Sequence, residues 1–187
     1  KFRIARKAFS GTGYRLVQKA FETPEIQSES VEEIVEFSAR WASGILKKPV
    51  VAADGGCSIA AMSGFPGPFI KYINRWLSAD DLLNLMKNKT NRRAAWKECL
   101  AYCEPGRRPV TFVSSFPGSI AKKVGRNTYR KDYGWIDSLF VPQGRARPLS
   151  EMPTREWLVF WSGHKKYNSW QKLLRYFEAA AKQRRTQ

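Results

Sequence analysis

Apolar residues recur near a helical period at Phe2, Ile4, Ala5, Ala8 and Phe9, and Gly11-Thr-Gly13 marks the expected end of that helix. Tyr14 to Val17 then reads as a short strand. The most regular stripe follows at Val31, Ile34, Val35, Ser38, Trp41, Ala42 and Ile45, and Ser30 with Glu33 three residues later fits a capping box. Together these predict a helix over about 31–47. Pro49-Val-Val-Ala-Ala53 is a short apolar run, predicted to be a buried strand that stops at Asp54-Gly-Gly56 and delivers Asp54 to a loop. Ala94 to Tyr102 and Pro109 to Phe116, joined by Glu104-Pro-Gly-Arg-Arg108, predict a β-hairpin. Trp170, Leu173, Leu174 and Phe177 predict a last helix. Helices alternating with strands and then a hairpin indicate an α/β or mixed fold around one central sheet, with no internal repeat.

Composition narrows the class. The 187 residues suit one domain, taken as 1–180 with a basic tail over 181–187, and 43% hydrophobic with 13% aromatic content excludes a disordered chain. No apolar stretch approaches the roughly 18 residues that a membrane span needs. Cys57, Cys99 and Cys103 lack metal-ligand spacing and have one His, His164, to help them, which argues against a zinc site or a disulfide framework. A reducing compartment, cytoplasm or mitochondrial matrix, is therefore expected. The sequence opens on Lys1 rather than Met, as a processed or trimmed chain does.

Charge adds a partner class. Lys and Arg number 33 against 16 Asp and Glu, a formal net charge of +17, and the distribution is uneven. Residues 1–20 hold six basic and no acidic residues, 21–36 hold six Glu and no base, and 122–187 hold fifteen basic against five acidic. Summed positive potential attracts polyanions whatever the fold, and nucleotides, phosphoinositides and RNA all qualify. Trp157, Phe160, Trp161, Tyr167 and Trp170 among Arg155, Lys165, Lys166 and Lys172 could stack bases, although the same pattern arises from core aromatics with snorkelling cations. Trp170 reads as core; Trp157 and Trp161 fit either description.

The order of short motifs resembles the inosine triphosphate pyrophosphatase family, which hydrolyses aberrant purine nucleoside triphosphates to monophosphate and pyrophosphate. Thr23-Pro-Glu-Ile-Gln27 is similar to the family's Pro-Glu segment. Pro49 to Gly56 occupies the place of a strand ending in two acids. Gly64-Phe-Pro-Gly-Pro-Phe-Ile-Lys71 is the most specific match. Leu100 to Gly106, Phe116 to Ile120, Tyr133-Gly-Trp135, Phe140 to Gly144 and Ser150-Glu-Met152 follow in the family's order. The resemblance implies a long mixed sheet with flanking helices, two lobes around a nucleotide cleft, and commonly a homodimer. It further implies Mg²⁺ as cofactor, Glu25 and Asp54 as metal ligands with Asp54 the catalytic carboxylate, and nucleotide contacts from Lys1, Phe65, Lys71, Trp135, His164 and Lys165.

Departures from the family pattern weigh against catalysis. The family's first strand and Thr-Gly-Asn loop would precede Lys1. Ile4 stands where the family usually has Glu, Ala53 replaces the first of the paired acids, and Gly55 replaces the hydroxyl residue after them. Trp135-Ile-Asp137 carries an insertion, and Gly163-His-Lys165 stands for a Ser-His-Arg whose bidentate fork Lys cannot reproduce. The first expectation is thus an eroded enzyme serving as a basic, RNA-contacting subunit of a ribonucleoprotein assembly such as the mitochondrial ribosome. Its RNA contacts would come from Arg126, Arg130, Lys131, Arg145, Arg147, Lys182, Arg184 and Arg185. The alternatives are an active Mg²⁺-dependent pyrophosphatase of inosine and xanthosine triphosphates, supported by Glu25, Asp54 and the 64–71 loop, and a nucleotide-binding regulator without turnover.

Overall fold

The computed structural model describes residues 2–125, 134–163 and 168–185. Among these residues five strands, β1 (Val50–Ile59), β2 (Pro66–Gly67), β3 (Arg93–Cys103), β4 (Val110–Ile120) and β5 (Phe140–Pro142), form one sheet in the order β2-β1-β3-β4-β5. Helices α1 (Phe2–Ala8), α2 (Val31–Leu46), α3 (Ile70–Trp76), α4 (Ala79–Leu85), α5 (Thr154–Gly163) and α6 (Ser169–Arg185) surround it. The α/β class with one flanked sheet is as expected. Every strand pairing among the described residues is antiparallel, where a mixed sheet was expected.

Strand periodicity divides the core in two. On one face Cys99, Ala101 and Cys103 of β3 meet Val31, Val35 and Ala39 of α2. On the other, Trp96 and Leu100 of β3 and Cys57 and Ile59 of β1 meet α1, α5 and α6 through Ile4, Trp157, Trp161, Trp170 and Leu173. Trp157, Phe160, Trp161 and Trp170 are all buried, which assigns these four aromatics to the core, while Tyr167 lies outside the described residues. Ile4 is likewise buried, so its replacement of an acid serves packing.

Three sequence expectations are corrected here. Tyr14–Val17 is not a strand: residues 14–28 have no regular structure, and none of the backbone groups of 13–29 bonds another backbone group among the described residues. Strand β1 does not end at Asp54 but runs on to Ile59, because Gly55 and Gly56 permit contacts that a side chain would block. A Cβ on Gly55 would lie 2.7 Å from the Lys97 carbonyl oxygen, and one on Gly56 would lie 2.4 Å from that of Gly67. Helix α6 continues through most of the basic 181–187 segment, to Arg185.

Helix α2 begins as its sequence dictates, with the Ser30 hydroxyl accepting from the Glu33 amide at 3.2 Å, while the Glu33 carboxylate turns to Ser28 instead of closing the box. Glu32 also ties α2 to the sheet through Lys97 at 3.0 Å. Burial opposes ionisation of Glu32, but the bond from Lys97, its own backbone amide and the Ser30 hydroxyl prevail and hold it below its ordinary 4.5. A depressed carboxylate stabilises the fold above its unfolded value and ceases to do so as pH falls through its folded value. Urea midpoints of the parent and Glu32→Gln should therefore differ near neutrality and converge in acid below pH 4.5; a gap that persists at low pH would contradict this assignment.

Candidate functional site

A cavity of about 1650 Å³ opens among the described residues. One wall is the irregular segment after α1, contributing Arg15 to Lys19, Phe21, Thr23 and Glu25 to Gln27. The opposite walls come from β1 (Val50 to Gly55), α2 and the 65–76 stretch, and Trp170 at the start of α6 closes part of it. Between Val50 and Gly56, β1 pairs with β3 on one edge, and β2 reaches only Cys57 and Ser58 on the other. The cavity lies beside that stretch of strand.

Four residues singled out in sequence, Glu25, Asp54, Phe65 and Lys71, line this one space. Asp54 sits within β1, opposite Cys99 of β3, and is half-buried. A strand places its carboxylate more rigidly than the expected loop would. Glu25 reaches from the irregular segment to α3: Lys71 Nζ donates to its Oε1 at 2.9 Å and Tyr72 Oη to its Oε2 at 2.7 Å. The Tyr72 bond first, and then the Lys71 bond, hold the Glu25 carboxyl below its usual range, and Glu25 in turn raises Lys71. Phe21 stacks on Trp41 of α2 with ring centroids 5.4 Å apart, fastening the same segment on its other side.

Other expected contacts lie elsewhere. Trp135 is absent from this wall; with Ser138 and Ser150 it lines a separate pocket of about 280 Å³. Its distance along the chain from the 64–71 loop gave no way to foresee that separation. Lys1, His164 and Lys165 lie outside the described residues, as do Arg126, Arg130 and Lys131 of the RNA set. The α6 start holds Asn168, Ser169 and Trp170 instead. The Asn168 side chain accepts from the Trp170 amide at 2.9 Å, and Ser169 donates to the buried Glu98 of β3 at 2.5 Å. Arg145 and Arg147 are engaged by Glu156 at 3.2 and 3.8 Å, so their charge is partly spent within the protein. Lys182 is exposed on α6, and Arg184 and Arg185 fall in its last turn, where only the backbone is described.

Sequence reasoning missed Tyr72, Glu98 and Ser169. Tyr72 stands next to Lys71, but its bond to Glu25 spans 47 residues, and Glu98–Ser169 spans 71, so neither left a local signal. The thiols are inert by position: all three cysteines are buried, and burial pushes Cys57 and Cys99 up to about 12.

Among the described residues no three His, Cys, Asp or Glu side chains converge as a metal cage. Two hard carboxylates lining one cavity, Glu25 and Asp54, are nonetheless the donor set that Mg²⁺ uses when substrate phosphates and waters supply the other oxygens. The residues present fit that ion. No helix among the described residues is long and apolar enough to cross a membrane.

Residues 2–158 match the Ham1 family. The chain is 33% identical to a dITP/XTP pyrophosphatase of Methanopyrus kandleri, covering 83% of this chain and 81% of that one. It is 30% identical to an inosine triphosphate pyrophosphatase of Puccinia graminis, over 74% and 69%. Its fold superposes on the Ham1 protein of Staphylococcus aureus with a TM-score of 0.67 at 21% identity, covering 88% and 82%. These relatives overturn the expectation of an RNA-contacting ribonucleoprotein subunit, since the proteins similar over most of this chain are named pyrophosphatases. The +17 charge behind that expectation selects polyanions as a class, and a triphosphate belongs to that class as much as RNA does.

Proposed function

Because the chain belongs to the Ham1 family, we propose that it is a nucleoside triphosphate pyrophosphohydrolase acting on deaminated purine nucleotides such as inosine and xanthosine triphosphates. The observation that carries this reading is that Glu25, Asp54 and Lys71, from three separate stretches of chain, line one cavity. Glu25 and Asp54 would hold Mg²⁺. When bound, the ion polarises phosphoryl oxygens and favours deprotonation of the attacking water.

The side chains divide the remaining work. Asp54 offers a carboxylate oxygen to take the proton of water as it attacks the α-phosphorus, while the bond from that phosphorus to the bridging oxygen breaks and pyrophosphate leaves. Lys71, exposed on a long stem, neutralises charge on the phosphates once it releases Glu25. Phe65 gives the cavity an apolar wall beside them. Nucleoside monophosphate and pyrophosphate are the expected products.

The test is release of pyrophosphate from inosine triphosphate and Mg²⁺ by the purified chain, with products resolved by anion exchange. Pyrophosphate equimolar with monophosphate is expected. Orthophosphate with diphosphate, or no release by a folded protein, would refute the proposal.

A further inference from the structure

We infer that Tyr72 is a positioning residue for Glu25, holding one carboxylate oxygen so that the other is presented to a divalent cation. The inference rests on the proposed role of Glu25 as a metal ligand. Glu25 lies on a segment, residues 13–29, that makes no backbone-to-backbone bonds among the described residues, so its carboxylate is not aimed by a main-chain ladder there. Its direction comes from α3, where Lys71 donates to Oε1 and Tyr72 to Oε2.

The two donors differ in kind. Lys71 carries a charge on a long exposed stem; it repels an arriving cation and competes with it for the same oxygen. Tyr72 is neutral, and its ring contacts Trp76 with centroids 5.7 Å apart, which narrows the range its hydroxyl can reach. A neutral donor can keep Oε2 while a cation takes Oε1, the arrangement by which outer hydrogen bonds orient ligating carboxylates in metal sites. Neighbouring residues on one helix thus act on metal affinity in opposite directions. Tyr72 supports it and Lys71 opposes it until phosphate draws the ammonium away.

The experiment titrates Mn²⁺ into the full chain, alone and with inorganic pyrophosphate, following free Mn²⁺ by electron paramagnetic resonance. Glu25→Gln, Tyr72→Phe and Lys71→Met are compared with the parent, and thermal unfolding checks that each folds. Without pyrophosphate, Tyr72→Phe should weaken Mn²⁺ binding by about tenfold, and Lys71→Met should tighten it. With pyrophosphate the gain of Lys71→Met should vanish. If Glu25→Gln loses binding but Tyr72→Phe matches the parent, the positioning role is wrong and the ligand assignment stands. Should Glu25→Gln bind Mn²⁺ like the parent, the ligand assignment falls and takes this inference with it.

Discussion

Asp54→Asn is expected to lose about 10²–10⁴-fold in pyrophosphate release while unfolding at the same temperature as the parent protein. The substitution keeps shape and removes a charge and a proton acceptor. Asp54 lies in the interior of β1, whose backbone ladder to β3 runs unbroken from Val50 to Ile59, so the amide should occupy the same place. That separates it from changes that act through folding. Equal rates in variant and parent would show that the cavity carboxylate takes no part in the chemistry, and the pyrophosphohydrolase reading would then need another base. Glu25→Gln offers a contrast, because raising Mg²⁺ counters the loss of a ligand, whereas Asp54→Asn also removes the base and stays slow at high Mg²⁺.

Trp96→Ala is expected to cost about 3–5 kcal/mol, a large share of the roughly 5–15 kcal/mol that holds a domain together. Trp96 is 3% exposed in the middle of β3. Its ring meets Phe140 at 6.3 Å and Trp161 at 6.2 Å, both edge-on, which joins sheet, β5 and α5. The indole also approaches Gly55, where a Cβ would stand 3.6 Å from Nε1, so the void would open next to the strand that carries Asp54. Denaturant titration should show a lower midpoint, with Trp96→Phe retaining most of the stability. A loss under about 1 kcal/mol would mean that neighbouring rings collapse into the space.

Elements governed by local chemistry were legible in the sequence. Helix α2 begins and ends within a residue of the span set by its apolar stripe and Ser30, and the β3–β4 hairpin follows from two runs around Glu104 to Arg108. Asp54-Gly-Gly56 misled because glycine pairs that usually mark turns here allow close backbone packing against β3 and the 64–67 loop. Tyr14–Val17 has the composition of a strand, but strand formation needs an adjacent edge, and that partner cannot be read from four residues. For the site, resemblance supplied Glu25, Asp54, Phe65 and Lys71, and folding brought all four to one cavity. Trp135 did not join them, since chain order within a family says which residues exist and leaves to packing which wall they face. The charge count overreached when it was turned into RNA contact: Arg145 and Arg147 meet an acid of their own chain.

The buried cysteines give the sheet a record of which side has opened. Cys57 points toward the α1, α5 and α6 layer, whereas Cys99 and Cys103 lie beneath α2. Burial protects all three while both layers are closed. Departure of the first layer uncovers a single thiol, and departure of α2 uncovers two. The stoichiometry of covalent labelling therefore distinguishes two routes of partial unfolding that a single spectroscopic signal would merge.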